Sequence, residues 1–189
     1  MPPNDDSWIM QQANILNNIA ANLLPVERLV SAAAYLIGLA FAFKAIYALK
    51  TYAETKSSMS AGNSSLKEPL IYMIVAAILI YSVTGVKIIL QTTFGSSSLM
   101  QYAPIDSKIP GIGTWFGPGS LIGRPLTIII KVIGVIAFVR GWILIARTAS
   151  TGQPPGGTGK GLMHVIGGIL AMNIVATLVI INNTIYGTG

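Results

Sequence analysis

The residues with the widest chemical repertoire are few, and their spacing excludes most reactions. Gly156-Gly157-Thr158-Gly159-Lys160-Gly161 invites comparison with a phosphate-binding loop. That loop needs Gly, four residues, then Gly-Lys and a Ser or Thr whose hydroxyl holds magnesium. Pro154 stands where the first glycine belongs, Gly161 stands where the hydroxyl belongs, and no strand pattern precedes them. A nucleotide site is excluded, and Pro154-Pro155-Gly156-Gly157 reads as a turn that reverses the chain. His164 is the only histidine, with no carboxylate or thiol beside it to share a metal or a proton. Cysteine is absent, which removes disulfides, thiolate zinc sites and thiol nucleophiles. No catalytic residue, cofactor-binding residue or metal ligand is assigned, no cofactor is expected, and the chain reads as a non-enzyme.

The remaining chemistry is cationic. Lys44, Lys87, Lys131 and Arg140 lie within strongly apolar stretches, where an ionisable group is a functional candidate by default. Each is within about seven residues of the end of its stretch, roughly 10 Å at 1.5 Å per residue. A long side chain covers most of that distance by snorkelling to the headgroups, which is the simpler expectation. No Asp, Glu or Cys lies within the stretches to build a proton relay or a catalytic pair. Lys44 and Arg140 occupy matching places and keep a second reading open, in which they contact lipid headgroups or a partner's carboxylates.

The elements that must position these residues are membrane helices. Hydrophobic residues make up 52% of the 189 and charged residues 10%, against about a quarter charged in soluble domains. The charge balance is basic, but the cations sit at the margins of apolar runs and do not form a patch, so no direct nucleic-acid site is evident. Four windows have the roughly 20 apolar residues that a crossing needs: 29–49, 70–90, 126–146 and 162–181. The expected fold is an all-α integral membrane protein with four transmembrane helices in two tandem hairpins. Its parts are an N-terminal amphipathic interfacial helix (1–28), a first hairpin (29–95), a Gly/Pro-rich external loop (96–125) and a second hairpin (126–189).

In the N-terminal part, Trp8, Ile9, Ile15, Leu16, Ile19 and Leu23 oppose Gln11, Asn14, Asn18 and Asn22, with Pro25 at the end or at a kink. Its acidic start lacks the basic residues and immediate apolar run of a cleavable signal, so the first span is expected to direct insertion. The glycines and prolines of the long loop are expected to forbid regular structure there, while Trp115 and Phe116 suit the headgroup zone.

Small residues recur at four-residue intervals: Ala34, Gly38 and Ala42, then Ala137 and Gly141, then Gly167 and Ala171. Such faces let helices pack closely, and Asn173 is placed to add an interhelical hydrogen bond. The hairpins also resemble each other. Leu36-Ile37-Gly38 and Lys44 match Val132-Ile133-Gly134 and Arg140, and Ala76-Ala77-Ile78-Leu79 matches Gly167-Gly168-Ile169-Leu170. This is the pattern of a tandem duplication in parallel orientation.

Residues 152–173, from the Gly-rich turn through Met163-His164-Val165-Ile166-Gly167-Gly168-Ile169-Leu170-Ala171-Met172-Asn173, resemble the IcmC/DotE family. These are small inner-membrane components of Dot/Icm-type (type IVB) secretion machines and related conjugation systems. The resemblance implies a structural subunit of such a machine, with other inner-membrane subunits and membrane lipids as partners, and it brings no catalytic residues with it. The paired apolar helices and basic loops are also similar to conjugative pilins, which suggests a passage-lining element or a pilin-like or holin-like homo-oligomer as an alternative. A small transporter is the further alternative, with only Thr84 and Asn173 as polar residues near mid-depth.

Lys50, Lys56, Lys67, Arg147 and Lys160 flank the two hairpin loops, which the positive-inside rule places in the cytoplasm of a bacterial inner membrane. The termini and the 96–125 loop are then periplasmic. A reporter fused at Ser58 or Gly156 is expected to read cytoplasmic, and one at Ser97 or after Gly189 external. Inversion at all four sites would reverse the orientation.

Overall fold

The computed structural model describes residues 5–57, 65–95, 104–105, 111–150 and 156–187. All regular structure among them is helical. Most of both hairpin loops, including Ser58, Pro154 and Pro155, and much of the long loop, including Asp106 and Lys108, lie outside the described residues.

The first helix, α1 (Asp5–Ser57), runs through the boundary expected near residue 28, with Pro25 inside it. Proline removes one backbone hydrogen bond and crowds the carbonyl four residues earlier, yet the helix continues. The reason lies on one face. Ala13, Ala20 and Ala34 are buried and Glu27 is half-buried, each seven residues from the next. Seven residues return nearly to the same side after two turns, so one packing seam joins the amphipathic segment to the apolar one. The 53 residues span about 80 Å.

The second helical stretch is broken. It consists of α2 (Lys67–Ile80) and α3 (Ser82–Phe94), parted at Tyr81. A one-turn helix, α4 (Ile112–Phe116), then precedes α5 (Gly123–Arg147). The last stretch, α6 (Gly157–Met172) and α7 (Ile174–Tyr186), breaks at Asn173 with a bend of 92°. Among the described residues, α1 and α5 are long and apolar enough to cross a membrane, and the bent α6–α7 pair makes a third if it counts as one span. Four spans are expected and two or three are found, since the helices on either side of Tyr81 and Asn173 are segments of 13 to 16 residues.

Packing is closest between α5 and α6, then between α1 and α2, with α1 against α5 joining the pairs. Glycine makes the approach possible. A Cβ placed on Gly134 would lie 2.7 Å from the Met172 nitrogen and 2.9 Å from the Gly168 oxygen, and one on Gly141 would lie 2.7 Å from the Gly161 oxygen. Gly134 thus meets Gly168 and Gly141 meets Gly161, so α5 and α6 run antiparallel with glycines seven residues apart on each. On α1, a Cβ placed on Gly38 would lie 2.9 Å from the Ile80 nitrogen.

The described part of the long loop is more ordered than its composition suggests, with α4 formed among the glycines. The Ile105 amide donates to the Phe116 carbonyl at 2.7 Å. Ile105, Phe116 and Val175 form a second apolar cluster, against which Leu126, Ile130 and Leu178 pack. This part of the loop is fixed on α7 and the start of α5, because Ile112 and Phe116 supply apolar surface among the glycines.

The seam predicts opposite outcomes at adjacent positions. Gly168→Leu should lower the melting temperature in detergent, since overpacking a tight contact costs about 1–3 kcal/mol. Gly167 has open space around its Cβ position, so Gly167→Leu should leave the melt unchanged.

Candidate functional site

The described residues hold three buried or part-buried polar clusters at helix contacts. The first is an ion pair. Lys131 Nζ on α5 lies 3.1 Å from Glu27 Oε1 on α1, and both side chains are about a quarter exposed. Lys131 therefore does not snorkel as expected. Its counter-charge comes from a residue two positions before the apolar window, which the inner seam of α1 turns toward α5.

The second cluster surrounds Tyr72, which is buried between α1, α2 and the end of α5. Its hydroxyl donates to Glu68 Oε1 at 3.1 Å and lies 2.8 Å from Ser150 Oγ. Phe41 stacks on its ring at 5.8 Å, and Lys44 Nζ sits 5.1 Å from the ring centroid. Such a cation over an aromatic face contributes about 0.5–1 kcal/mol at an exposed site. Lys44 thus bends onto α2, held by a residue that the sequence reading had not singled out.

The third cluster is the break in the last helix. Asn173 is 1% exposed, and Thr177 is also buried. The Thr177 hydroxyl is 3.0 Å from the carbonyls of both Leu170 and Asn173. Leu170 belongs to the last turn of α6, where carbonyls lack an intrahelical partner. A side-chain hydroxyl from the next helix makes the bend tolerable in apolar surroundings.

The other expected positions are placed as follows. Ala34 is fully buried on the α1 seam, Gly38 touches α2, and Ala42 lines an apolar groove between these helices. On α5, Gly141 meets α6 and Ala137 is half-buried. Ala171 Cβ lies 3.0 Å from a Cβ placed on Gly134. Gly167 is the correction: it is exposed, and its neighbour Gly168 makes the contact. Arg140 is exposed, and no ion pair or ring contact holds it among the described residues. Lys87 is exposed as well. His164 Nδ1 is 2.8 Å from the Lys160 carbonyl one turn earlier on its own helix.

Among the described residues, no three His, Cys, Asp or Glu side chains gather as they would around a metal ion. The cluster residues sit at separate helix contacts. Of these residues, Glu68 and Ser150 line one cleft, at the ends of α1, α2 and α5. No protein-family model, curated protein or solved structure matches the chain.

The Glu27–Lys131 pair is open to a charge-swap test. Removing one partner by Lys131→Gln should cost about 2 kcal/mol, between the values for exposed and for buried pairs. Exchanging both charges, Glu27→Lys with Lys131→Glu, should restore most of the melting temperature in detergent. A swapped variant no more stable than Lys131→Gln would show that the contact is incidental.

Proposed function

We propose that the chain is a helix-packing subunit of a larger membrane assembly, with no catalytic chemistry of its own. One observation carries this reading. Leu29, Leu36, Phe43, Ile46 and Tyr47 on α1 are each at least 66% exposed. In water, apolar surface costs about 25 cal/mol per Å², whereas in lipid or against partner helices that cost disappears. The polar groups point the same way, because they tie one helix of this chain to another.

In this reading the chain resides in a bacterial inner membrane. The broken pairs α2–α3 and α6–α7 each complete a crossing, giving four in two tandem units with the hairpin loops in the cytoplasm. Lys44 and Arg140 then lie toward the inner leaflet, near lipid headgroups or the carboxylates of a neighbouring subunit. The resemblance of residues 152–173 to the IcmC/DotE family directs the choice of assembly to a type IVB secretion or conjugation machine.

A second reading, a small transporter, is favoured by the breaks at Tyr81 and Asn173, since transporters build mid-membrane sites on discontinuous helices. Affinity purification of the tagged chain from its native membranes separates the readings. A fixed set of other multi-span proteins is the expected outcome. Recovery of the chain as a homo-oligomer alone would favour the pilin-like or holin-like alternative, and solute uptake by liposomes holding only this chain would favour the transporter.

A further inference from the structure

We propose that the cleft at the loop end of the helix bundle binds the headgroup of an aminophospholipid, a lipid bearing both a phosphate and a primary ammonium. The inference rests on the membrane placement proposed above. The cleft, about 530 Å³, lies between the C-terminal part of α1, the start of α2 and the end of α5. That volume is within the usual range for small-molecule sites. Its lining residues flank the ends of three apolar runs, at Leu49, Leu70 and Ala146, which is the depth of lipid headgroups in a membrane-spanning chain.

The chemistry of the lining is two-sided. Lys67 brings a cation for a phosphate. Ser65 Oγ accepts the Lys67 amide at 3.2 Å, which leaves its own proton to donate. Tyr52 carries a second hydroxyl that makes no hydrogen bond among the described residues. The opposite character comes from Glu68, whose carboxylate accepts from Tyr72 and has no ion-pair partner among the described residues. Thr51 donates its proton to the Tyr47 carbonyl at 3.1 Å, so its oxygen remains as an acceptor. Donors and a cation suit the phosphate, while acceptors and an anion suit the ammonium. A glycerol headgroup offers Glu68 no cation, and a quaternary ammonium offers it no N–H to share. Of the common headgroup types, only the primary amine meets both halves. Tyr72 orients Glu68 from beneath through its hydroxyl, which also lies within hydrogen-bond reach of Ser150, three residues past the end of α5.

The test uses the full chain purified in detergent, with phosphatidylethanolamine, phosphatidylglycerol and phosphatidylcholine of equal acyl length. Native mass spectrometry counts the lipids that stay bound. The unmodified chain should retain phosphatidylethanolamine about tenfold over the other two, a ratio within reach of one charge-assisted hydrogen bond. Glu68→Gln keeps the acceptor for Tyr72, so the fold should persist while the preference over phosphatidylglycerol falls to parity. Lys67→Gln should weaken all three lipids alike. Thr51→Val, which leaves Glu68 and Lys67 in place, should reduce the preference without abolishing it. Equal retention of the three lipids by the unmodified chain would overturn the proposal, as would an undiminished preference in Glu68→Gln. Alkaline carbonate extraction of native membranes reports separately on the placement. Release of the chain there would sink both readings, whereas retention with no headgroup preference would sink the lipid site alone.

Discussion

Helices in lipid gain little hydrophobic energy by associating, since hydrocarbon tails are as apolar as leucine, and so they depend on how closely their backbones can approach. That constraint organises this structure. Gly134 and Gly141 on α5 face Gly168 and Gly161 on α6, and Gly38 on α1 faces Ile80 on α2, each where a Cβ would collide with backbone. The polar clusters depend on those approaches. Glu27 reaches Lys131 because the α1 seam lies against α5, and Tyr72 reaches Ser150 because α2 and the end of α5 lie on the same side of α1. Removal of the glycine contacts would leave these groups unpaired.

The broken helices follow from a related accounting of backbone hydrogen bonds. In an apolar solvent every carbonyl exposed by a break must find a donor within the protein. At Asn173 the Thr177 hydroxyl serves that purpose, and at Tyr81 the backbone amide itself bonds Ala77 at 3.0 Å. The 92° bend also turns Ile174 and Val175 onto Ile105 and Phe116, so the ordered part of the long loop and the break stabilise each other. Without that apolar contact, α7 would have little to hold it across the start of α5.

How much of this was legible in the sequence varies with the physics involved. The long apolar runs behind α1 and α5 were visible, because hydropathy over 20 residues is a strong signal. Gly38 and Gly141 were identified from small-residue spacing. Gly168 was missed in favour of Gly167 because a four-residue pattern gives a period without fixing its phase. Adjacent residues on a helix differ by about 100° in direction, so a one-residue error moves the contact to the exposed side. The seven-residue pairs Gly134/Gly141 and Gly161/Gly168 did carry the needed signal. Glu27 was passed over because it lies just outside its apolar window, although a helix does not end where hydropathy does. The breaks at Tyr81 and Asn173 have no proline to announce them, and only the tertiary contacts of α7 explain the second.

The repeat in the sequence acquires a physical meaning once these contacts are placed. The first helices of the two halves match at an offset of 96 residues, from Gly38 to Gly134, and the second helices at 91, from Leu79 to Leu170. Applied to the contact between Gly38 and Ile80, those offsets give Gly134 and Ala171, which are also neighbours. Applied to the break at Tyr81, the second offset gives Met172, one residue from the break at Asn173. A glycine contact and an adjacent helix break therefore recur together. Close approach at the glycine fixes the first half of each second helix, and at Asn173 the break frees α7 to turn by 92°. In the second half of the chain that freedom brings α7 against the ordered loop. In the first half, α3 instead packs beside α1 and α6, with Val86 and Ile89 joining the main core. The glycine contact and the break thus recur in two different surroundings, and among the described residues the loop's Ile105 and Phe116 pack on α7.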